Sequence, residues 1–229
     1  MVSIRENIHR IEERIERACT ASGRRREELR HMAVSKLQPG DRIREGIEFG
    51  LRLFGESRVQ ETAARRDIFP ADAEVHLIGH LQRNKAKDAV GLYHTIQSID
   101  AIRTVRALES HLTSESPIID LLVEVNTSGD ENKYGVLGFD ALREITDVIE
   151  SSPRFRLRGV MTIGPLTGDE AEVRRAFAHL RELRDRLENE TGRTYPELSM
   201  GMSGDLEAAV REGSTMLRIG TAVFGQREY

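Results

Sequence analysis

Lysine is scarce in this sequence, although positively charged residues are not. Of the 34 lysine and arginine residues only four are lysines, and arginine supplies the rest of the positive charge. Arginine cannot act as an amine nucleophile, because its guanidinium group stays protonated. A lysine on a buried element of this chain is therefore a candidate for amine chemistry. The four lysines are Lys36, Lys85, Lys87 and Lys133.

Cysteine and long apolar runs are also scarce. The single cysteine, Cys19, excludes an intramolecular disulfide and indicates a reducing compartment. No apolar run approaches the roughly 20 residues of a membrane span. The N-terminal residues mix glutamate with arginine and lack the apolar segment of a signal peptide. We therefore expect a cytoplasmic protein that does not act at a membrane.

The sequence has no excess of positive charge, no linker and no low-complexity segment. A net charge of −4 gives no electrostatic reason to expect nucleic acid as a partner. Apolar residues make up 38% of the chain and charged residues 31%, which is typical of a globular protein. The 229 residues are enough for one sizeable core. We expect a single domain over residues 1–229, and a monomer.

Eight apolar segments alternate with amphipathic helical segments along the chain. Such alternation requires parallel strands joined by right-handed crossovers. Eight units favour a closed (β/α)₈ barrel of the TIM type, and an open doubly wound sheet is the alternative, since the second strand is weak. The predicted strands are 31–36, 51–55, 75–78, 95–99, 118–125, 157–163, 198–200 and 216–219.

Residues typical of helix starts and helix ends occur in the segments between these strands. Ser3 and Glu6 form a capping-box pattern at the start of the first helix, and Asp41 and Asp205 are predicted to cap two later helices. Further helices are predicted over 57–68, 102–113, 139–149 and 169–190.

The segment 31–36 is a compact apolar run that ends in Lys36 and precedes a turn at 39–40. This pattern predicts a buried strand that brings an amine to the edge of the core. Loss of hydration there is expected to lower the pKa of the amine, and a neutral amine is what Schiff-base formation with an aldehyde needs. The alternative is that Lys36 caps the strand and reaches water. Lys133, after the fifth strand, is the second candidate for an aldehyde-reactive lysine.

The loops after the seventh and eighth strands resemble phosphate sites. Segments 201–205 and 218–221 each place glycine and a hydroxyl residue just before a helix. Backbone N–H groups at a helix start suit a phosphate, and in (β/α)₈ barrels these two loops are the usual phosphate site. Each loop alone is also compatible with an ordinary turn or cap. Together with Lys36 at the same barrel mouth, they predict a phosphorylated aldehyde, for which pyridoxal phosphate is the obvious candidate.

Arg218 alternates with Leu217 and Ile219, so its side chain is predicted to point into the barrel while theirs do not. The alternative is an ordinary surface ion pair. An arginine facing the pyridine nitrogen of the cofactor would keep that nitrogen unprotonated, since arginine only donates. The ring would then be a poorer electron sink than one paired with a carboxylate.

Several motifs of this sequence are similar to those of the pyridoxal phosphate homeostasis proteins, with the N-terminal barrel of alanine racemase as a distant relative. The resemblance covers nearly the whole chain. The motifs are Ala33-Val34-Ser35-Lys36, Phe54-Gly55-Glu56, His76-Leu77-Ile78-Gly79-His80-Leu81-Gln82-Arg83-Asn84-Lys85, Val125-Asn126-Thr127-Ser128, Gly159-Val160-Met161-Thr162-Ile163-Gly164, Leu198-Ser199-Met200-Gly201-Met202-Ser203 and Arg218-Ile219-Gly220-Thr221-Ala222-Val223-Phe224-Gly225.

The resemblance implies a cofactor site. It implies that Lys36 carries pyridoxal phosphate as an internal aldimine and that Arg218 lies near the ring nitrogen. It also implies that Ser203, Gly220 and Thr221 hold the phosphate. Ser57 stands where the family usually has asparagine, so its shorter hydroxyl is the candidate for that contact.

The resemblance implies a protein that binds the cofactor and acts in vitamin B6 and amino-acid balance without an established turnover reaction. Such a protein would hold, buffer or hand over pyridoxal phosphate, with cofactor-requiring client enzymes as partners. The alternative is a pyridoxal phosphate-dependent racemase or decarboxylase. A Schiff-base aldolase without the cofactor would leave Arg218 unexplained.

A racemase needs two bases, and the distant relative takes its second base, a tyrosine, from another domain. This chain ends at Tyr229, and its tyrosines stand in no motif that resembles that base. We therefore expect no catalytic residues. His76 and His80 straddle a predicted strand end, so we expect no metal pair. The loop from His80 to Lys85 is predicted to be solvated, and the alternative is a small surface that binds an anionic ligand or a partner.

Overall fold

A closed barrel of eight parallel strands forms the centre of the molecule. The computed structural model describes residues 3–130 and 132–226, and the strands follow one another around the barrel in chain order, with the first beside the last. The predicted (β/α)₈ barrel is confirmed, and the open sheet is excluded. The strands are β1 (Arg30–Val34), β2 (Leu53–Glu56), β3 (Glu74–Leu77), β4 (Thr95–Ile99), β5 (Ile119–Glu124), β6 (Phe155–Met161), β7 (Glu197–Ser199) and β8 (Met216–Ile219).

Helices cover the outside of the barrel. The first begins with the predicted capping box, in which the Ser3 hydroxyl accepts from the Glu6 N–H at 3.2 Å and the Glu6 carboxylate accepts from the Ser3 N–H at 3.3 Å. The helices are α1 (Ile4–Ala21), α2 (Gly40–Glu48), α3 (Val59–Ala64), α4 (Ala86–Ala89), α5 (Ile102–Glu109), α6 (Gly138–Glu150), α7 (Glu170–Thr191), α8 (Leu206–Arg211) and α9 (Thr221–Phe224).

The first strand ends earlier than the sequence pattern predicts. β1 stops at Val34, so Lys36 lies in the following turn and not at the strand's last position. The Ser35 N–H still donates to the Gly55 carbonyl oxygen at 3.1 Å, but Leu37 then adopts a φ of 61°. Strand pairing requires extended residues, so the ladder ends at this change of direction.

Three helices also differ from their predictions, and one of them, α5, ends at Glu109 and not at the predicted residue 113. α2 begins at Gly40 with Pro39 at the N-cap position, so the predicted cap by Asp41 is wrong. The predicted helix 57–68 is interrupted after α3 and continues only as a 3₁₀ turn over Arg66–Ile68. The interruption falls at Arg65, whose side chain reaches back to the turn after β1.

The core lies between the strands and the helices, and the barrel interior is largely polar. A small apolar cluster of Met32, Leu53 and Met216 fills part of the interior. The buried polar residues His76, Gln97, Ser199 and Arg218 occupy much of the rest. Branched apolar residues usually dominate such interiors.

Within the described residues no helix combines the length and the apolar character needed to cross a membrane.

Candidate functional site

The residues predicted for the site gather at one end of the barrel, where the carboxyl ends of the strands meet. Lys36 and Ser57 follow β1 and β2, and Ser203 follows β7. Gly220 and Thr221 follow β8 directly. We call this end of the barrel the mouth. In a parallel barrel the carboxyl ends of all strands lie at the same edge, which brings these residues together despite their distance in sequence.

Lys36 is half-buried in a tight turn between β1 and α2. The turn is closed by the Gln38 N–H, which donates to the Ser35 carbonyl oxygen at 3.1 Å. Leu37 has the single positive φ among the described residues other than glycine. A left-handed conformation costs about 1–2 kcal/mol for such a residue, so the surrounding structure must hold this turn in place.

One buried ion pair fixes the turn of Lys36. The Ser35 hydroxyl donates to Glu56 Oε1 at 2.5 Å, and Arg65 Nη2 donates to the other oxygen of the same carboxylate. Arg65 also donates to the carbonyl oxygens of Ser35 and Gln38, at 3.3 and 3.0 Å. Burial raises the pKa of the Glu56 carboxyl, and the Ser35 hydroxyl and the Arg65 guanidinium oppose that shift. The arginine thus holds the backbone on both sides of the lysine.

Arg218 points into the barrel, as the alternation of β8 predicts, and it is 4% exposed. Its Nη1 donates to the Ser199 hydroxyl at 2.8 Å and its Nη2 to the Thr162 carbonyl oxygen at 2.7 Å. Burial lowers the pKa of Arg218 to about 10, against the opposing effect of Asp205 and Glu124. The guanidinium is therefore still protonated at neutral pH, and the alternative of a surface ion pair is wrong.

The loops after β7 and β8 contact each other at the mouth. The Ala222 N–H, in the first turn of α9, donates to the Ser203 hydroxyl at 3.4 Å. Arg14 of α1 donates to the Ser203 carbonyl oxygen at 2.7 Å, which anchors the loop after β7. A Cβ added at Gly220 would lie 3.4 Å from Val34, so this glycine lies close to the end of β1.

Asp205 does not cap α8 as predicted. It stands at the N-cap position, but no side-chain hydrogen bond to the helix is formed. Its carboxylate instead accepts from the Met202 N–H at 2.5 Å. This bond folds the loop that carries Ser203, and burial raises the pKa of the Asp205 carboxyl.

Ser57 lies half-buried directly after β2, with the loop after β3 packed against it. A Cβ added at Gly79 would lie 2.3 Å from the Ser57 carbonyl oxygen. Only glycine allows this close approach of two backbones. The position of Ser57 therefore depends on Gly79.

Glu124 is a residue of the mouth that the sequence analysis does not identify. It ends β5, is 5% exposed, and lines a cavity of about 150 Å³ together with Lys133 and Tyr134. Burial raises the pKa of Glu124 to about 7, with Asp100 adding to the shift and Arg218 opposing it. A carboxylate at the end of a buried apolar strand is the sequence signal that could have identified it.

The second candidate lysine and the histidine loop meet on the same side of the mouth. Lys133 donates from Nζ to the Gly164 carbonyl oxygen at 2.9 Å. His80 stacks on Tyr134 with ring centroids 4.1 Å apart, and its Nδ1 lies 3.2 Å from Asp100 Oδ2. His76, by contrast, lies inside the barrel and contacts Gln97. The two histidines therefore have separate environments.

Known proteins resemble this chain over almost its whole length. The family model described as alanine racemase, N-terminal domain, matches residues 3–228. The pyridoxal phosphate homeostasis protein of Aquifex aeolicus is 39% identical over 225 residues, which is 98% of this chain and 98% of that protein.

Solved structures are similar as well. PipY of Synechococcus elongatus, determined with PLP bound, is 33% identical with a TM-score of 0.80, over 92% of this chain and 99% of that chain. Alanine racemase of Corynebacterium glutamicum has a TM-score of 0.73 over 97% of this chain and 61% of that chain. Its identity is 16%, so this likeness concerns the fold alone.

Proposed function

The chain belongs to the pyridoxal phosphate homeostasis protein family, and on this premise we propose that it binds pyridoxal 5′-phosphate (PLP) as an aldimine of Lys36. In this function it takes part in PLP homeostasis and amino-acid balance without catalytic turnover. The observation that carries the proposal is the pairing of a half-buried lysine with a buried, protonated arginine at one barrel mouth.

The donor set of the mouth fits the three polar parts of PLP. Lys36 supplies a primary amine, the group with which an aldehyde condenses. Arg218 supplies an obligatory donor for the pyridine nitrogen. Ser203, Gly220 and Thr221 supply hydroxyl and N–H groups for the phosphate, in line with the contact of 3.4 Å between Ser203 and the first turn of α9. Ser57, beside the turn of Lys36, would provide a further contact to the cofactor.

The same arrangement supports the proposed absence of turnover. An arginine at the pyridine nitrogen keeps it unprotonated and limits charge delocalisation into the ring. A second base is also required for racemisation. Tyr93 donates to Thr62 and Tyr195 donates to Glu150, so both hydroxyls are engaged elsewhere, and Tyr229 lies outside the described residues.

Tyr134 favours a second candidate function, an amino-acid racemase, because it is exposed at the mouth. Incubation with each amino acid in heavy water, followed by NMR, separates the two functions. We expect no α-deuteration or inversion at an enzyme's rate. Exchange at about 1 s⁻¹ or faster, lost in Tyr134→Phe, would establish the racemase.

Attachment of PLP is tested by borohydride reduction and peptide mapping. We expect the label on the peptide that contains Lys36. Lys36→Ala should lose the visible absorption of bound PLP while keeping its fold, and Lys133→Ala, a matched change at the same mouth, should keep the absorption. Label found mainly on Lys133, Lys85 or Lys87 would overturn the assignment.

The proposal extends to the state of the protein and its partners. We propose a cytoplasmic monomer with one domain over residues 1–229, which passes PLP to cofactor-requiring enzymes and binds no nucleic acid. The net charge of −4 supports the absence of nucleic-acid binding, and the single, buried Cys19 supports a reducing compartment. Sedimentation of the PLP-loaded protein, and its transfer of PLP to an apoenzyme against free PLP as control, test them.

A further inference from the structure

A continuous chain of buried hydrogen bonds crosses the inside of the barrel. Arg218 Nη1 donates to the Ser199 hydroxyl at 2.8 Å, and that hydroxyl donates to Gln97 Oε1 at 2.6 Å. Gln97 Nε2 lies 2.9 Å from His76 Nδ1, and His76 Nε2 lies 3.4 Å from a Glu74 carboxylate oxygen. Ser199, Gln97 and His76 are fully buried.

This hydrogen-bond chain runs from the mouth to the opposite rim of the barrel. Arg218 is near the carboxyl end of β8, whereas Glu74 is the first residue of β3. At that rim Glu74 also accepts from Arg30, the first residue of β1, at 2.5 Å. Side chains from β8, β7, β4 and β3 therefore link the two ends of the barrel.

Every bond in this hydrogen-bond chain has one permitted direction, set by Arg218 and by Met216. The Met216 Sδ accepts from Gln97 Nε2 at 3.0 Å, which fixes the orientation of the Gln97 amide. Arginine only donates, so the Ser199 oxygen accepts, and the single proton of that hydroxyl goes to Gln97 Oε1. The Gln97 amide nitrogen then faces His76 as a donor, so His76 Nδ1 must accept. The His76 proton is thereby placed on Nε2, where it is donated to Glu74.

We propose that this chain, through Ser199, Gln97 and His76, positions Arg218 as a fixed donor at the floor of the mouth. The site then selects a pyridine nitrogen with an available lone pair and rejects an N-alkylated pyridinium. This inference rests on the proposed PLP function and identifies three positioning residues that do not touch the cofactor.

The charge state of His76 agrees with the required direction. Burial lowers the pKa of His76, and the nearby Arg30 and His94 add to the shift while Glu74 opposes it. Hydrogen bonds from His76 and Arg30 lower the pKa of Glu74 to about 2. A neutral ring beside an ionised carboxylate keeps its proton on the nitrogen that faces the carboxylate.

The first test uses the protein without cofactor. Nitrogen-15 NMR of the seven histidines, with His76→Gln to assign the signal, reports which ring nitrogen of His76 carries the proton. We expect the Nε2–H form at neutral pH in the unaltered protein. In Gln97→Glu a carboxylate faces Nδ1 as well, so we expect a second proton, on Nδ1, in addition to the one on Nε2. Nδ1–H in the unaltered protein would overturn the proposal.

The second test compares two buried serines. Ser199→Ala interrupts the hydrogen-bond chain. Ser98→Ala removes an equally buried hydroxyl that is not part of the hydrogen-bond chain and donates to the Gly79 carbonyl oxygen. The readout is the ratio of the dissociation constants of N-methylpyridoxal 5′-phosphate and PLP. We expect Ser199→Ala to lower this ratio about tenfold, with Ser98→Ala unchanged within about twofold, as for loss of a hydrogen bond to a charged group.

Equal ratios in the two serine variants would overturn the positioning role. If Ser199→Ala does not fold, the NMR result on Gln97→Glu and on the unaltered protein still decides the direction of the chain. Failure of the proposed function has a different signature, because the unaltered protein would then neither bind PLP nor be labelled at Lys36.

Discussion

The hydroxyl groups of Ser203 and Thr221 should determine whether the protein distinguishes PLP from pyridoxal. A hydrogen bond to a charged group is worth about 1.5–3 kcal/mol. Ser203→Ala and Thr221→Val should each weaken PLP binding by about 10- to 100-fold and pyridoxal binding by less than about threefold. Titration followed by absorbance measures both ligands.

Ser128→Ala provides the control for these two variants. Ser128 lies at the same mouth after β5, where its hydroxyl donates to Asn126 Oδ1 at 3.0 Å. It should bind both ligands as the unaltered protein does. If Ser203→Ala and Thr221→Val weakened PLP and pyridoxal equally, these residues would shape the pocket and would not hold the phosphate.

Glu124 should make the stability of the protein depend on pH. Its pKa is about 7 in the folded state against an ordinary 4.5. The folded state favours the protonated carboxyl, so this contribution is complete below about pH 4.5 and is lost as the pH rises through 7. At about 1.36 kcal/mol for each pKa unit, Glu124→Gln should gain about 2–3 kcal/mol over the unaltered protein between pH 5 and pH 8.

Urea unfolding of both proteins at the two pH values measures this difference in unfolding free energy. The comparison is internal, because every other titrating group is common to the two proteins. A difference that does not change with pH would mean that Glu124 stays ionised in the folded protein.

The turn between β1 and α2 combines the lysine proposed to bind PLP with an unfavourable backbone conformation. Leu37 has a φ of 61°, which glycine adopts without steric cost. Leu37→Gly and Leu37→Ala remove the same exposed side chain and differ in backbone preference. Leu37→Gly should therefore be about 0.5–1 kcal/mol more stable than Leu37→Ala. Equal unfolding free energies in urea would show that the turn relaxes in both variants.

Local sequence patterns predict the elements of this fold well, because each strand carries its own apolar run. They also predict that Arg218 points into the barrel, since this depends on position within a single strand, whereas Lys36 lies in the turn after β1 and not on the strand as predicted. The contact between Arg65 and Glu56 is not predicted, because it joins the end of α3 to the end of β2. Both residues also hold the turn after β1, which is distant from them in sequence. The same reason explains why α3 ends sooner than its helical pattern predicts.

Ser199 and Gln97 illustrate a second limit of sequence reasoning. A polar residue in a buried strand contradicts the apolar pattern, and its partner is identified only once the barrel closes. Ser199 and Gln97 are 102 positions apart in sequence, yet their side chains lie 2.6 Å apart. No local period relates residues at that separation.

The barrel as a whole should be stabilised by PLP, because the proposed site joins residues distant in sequence and therefore exists only in the folded protein. Lys36 follows β1, and Ser203, Arg218 and Thr221 belong to β8 or lie beside β7 and β8. PLP at about 100 times its dissociation constant should add about 2.7 kcal/mol to the unfolding free energy. For a chain of this size the melting temperature should rise by roughly 5–11 °C.

Thermal unfolding with and without PLP measures the shift, and pyridoxal serves as the ligand without phosphate. Lys36→Ala should show a smaller shift than the unaltered protein. A rise below about 2 °C at saturating PLP would contradict preferential binding of PLP to the folded protein.

Pairing of β1 with β8, from Arg30 against Met216 to Ala33 against Ile219, also has a consequence for biosynthesis. Lys36 leaves the ribosome early, whereas Arg218 and the loops proposed to bind the phosphate follow roughly 180 residues later. At about 5–20 residues per second, the lysine precedes the rest of its site by roughly 10–35 s. During that interval the nascent chain exposes an amine without the groups proposed to select a phosphorylated aldehyde. Selective capture of PLP must therefore await the last strand.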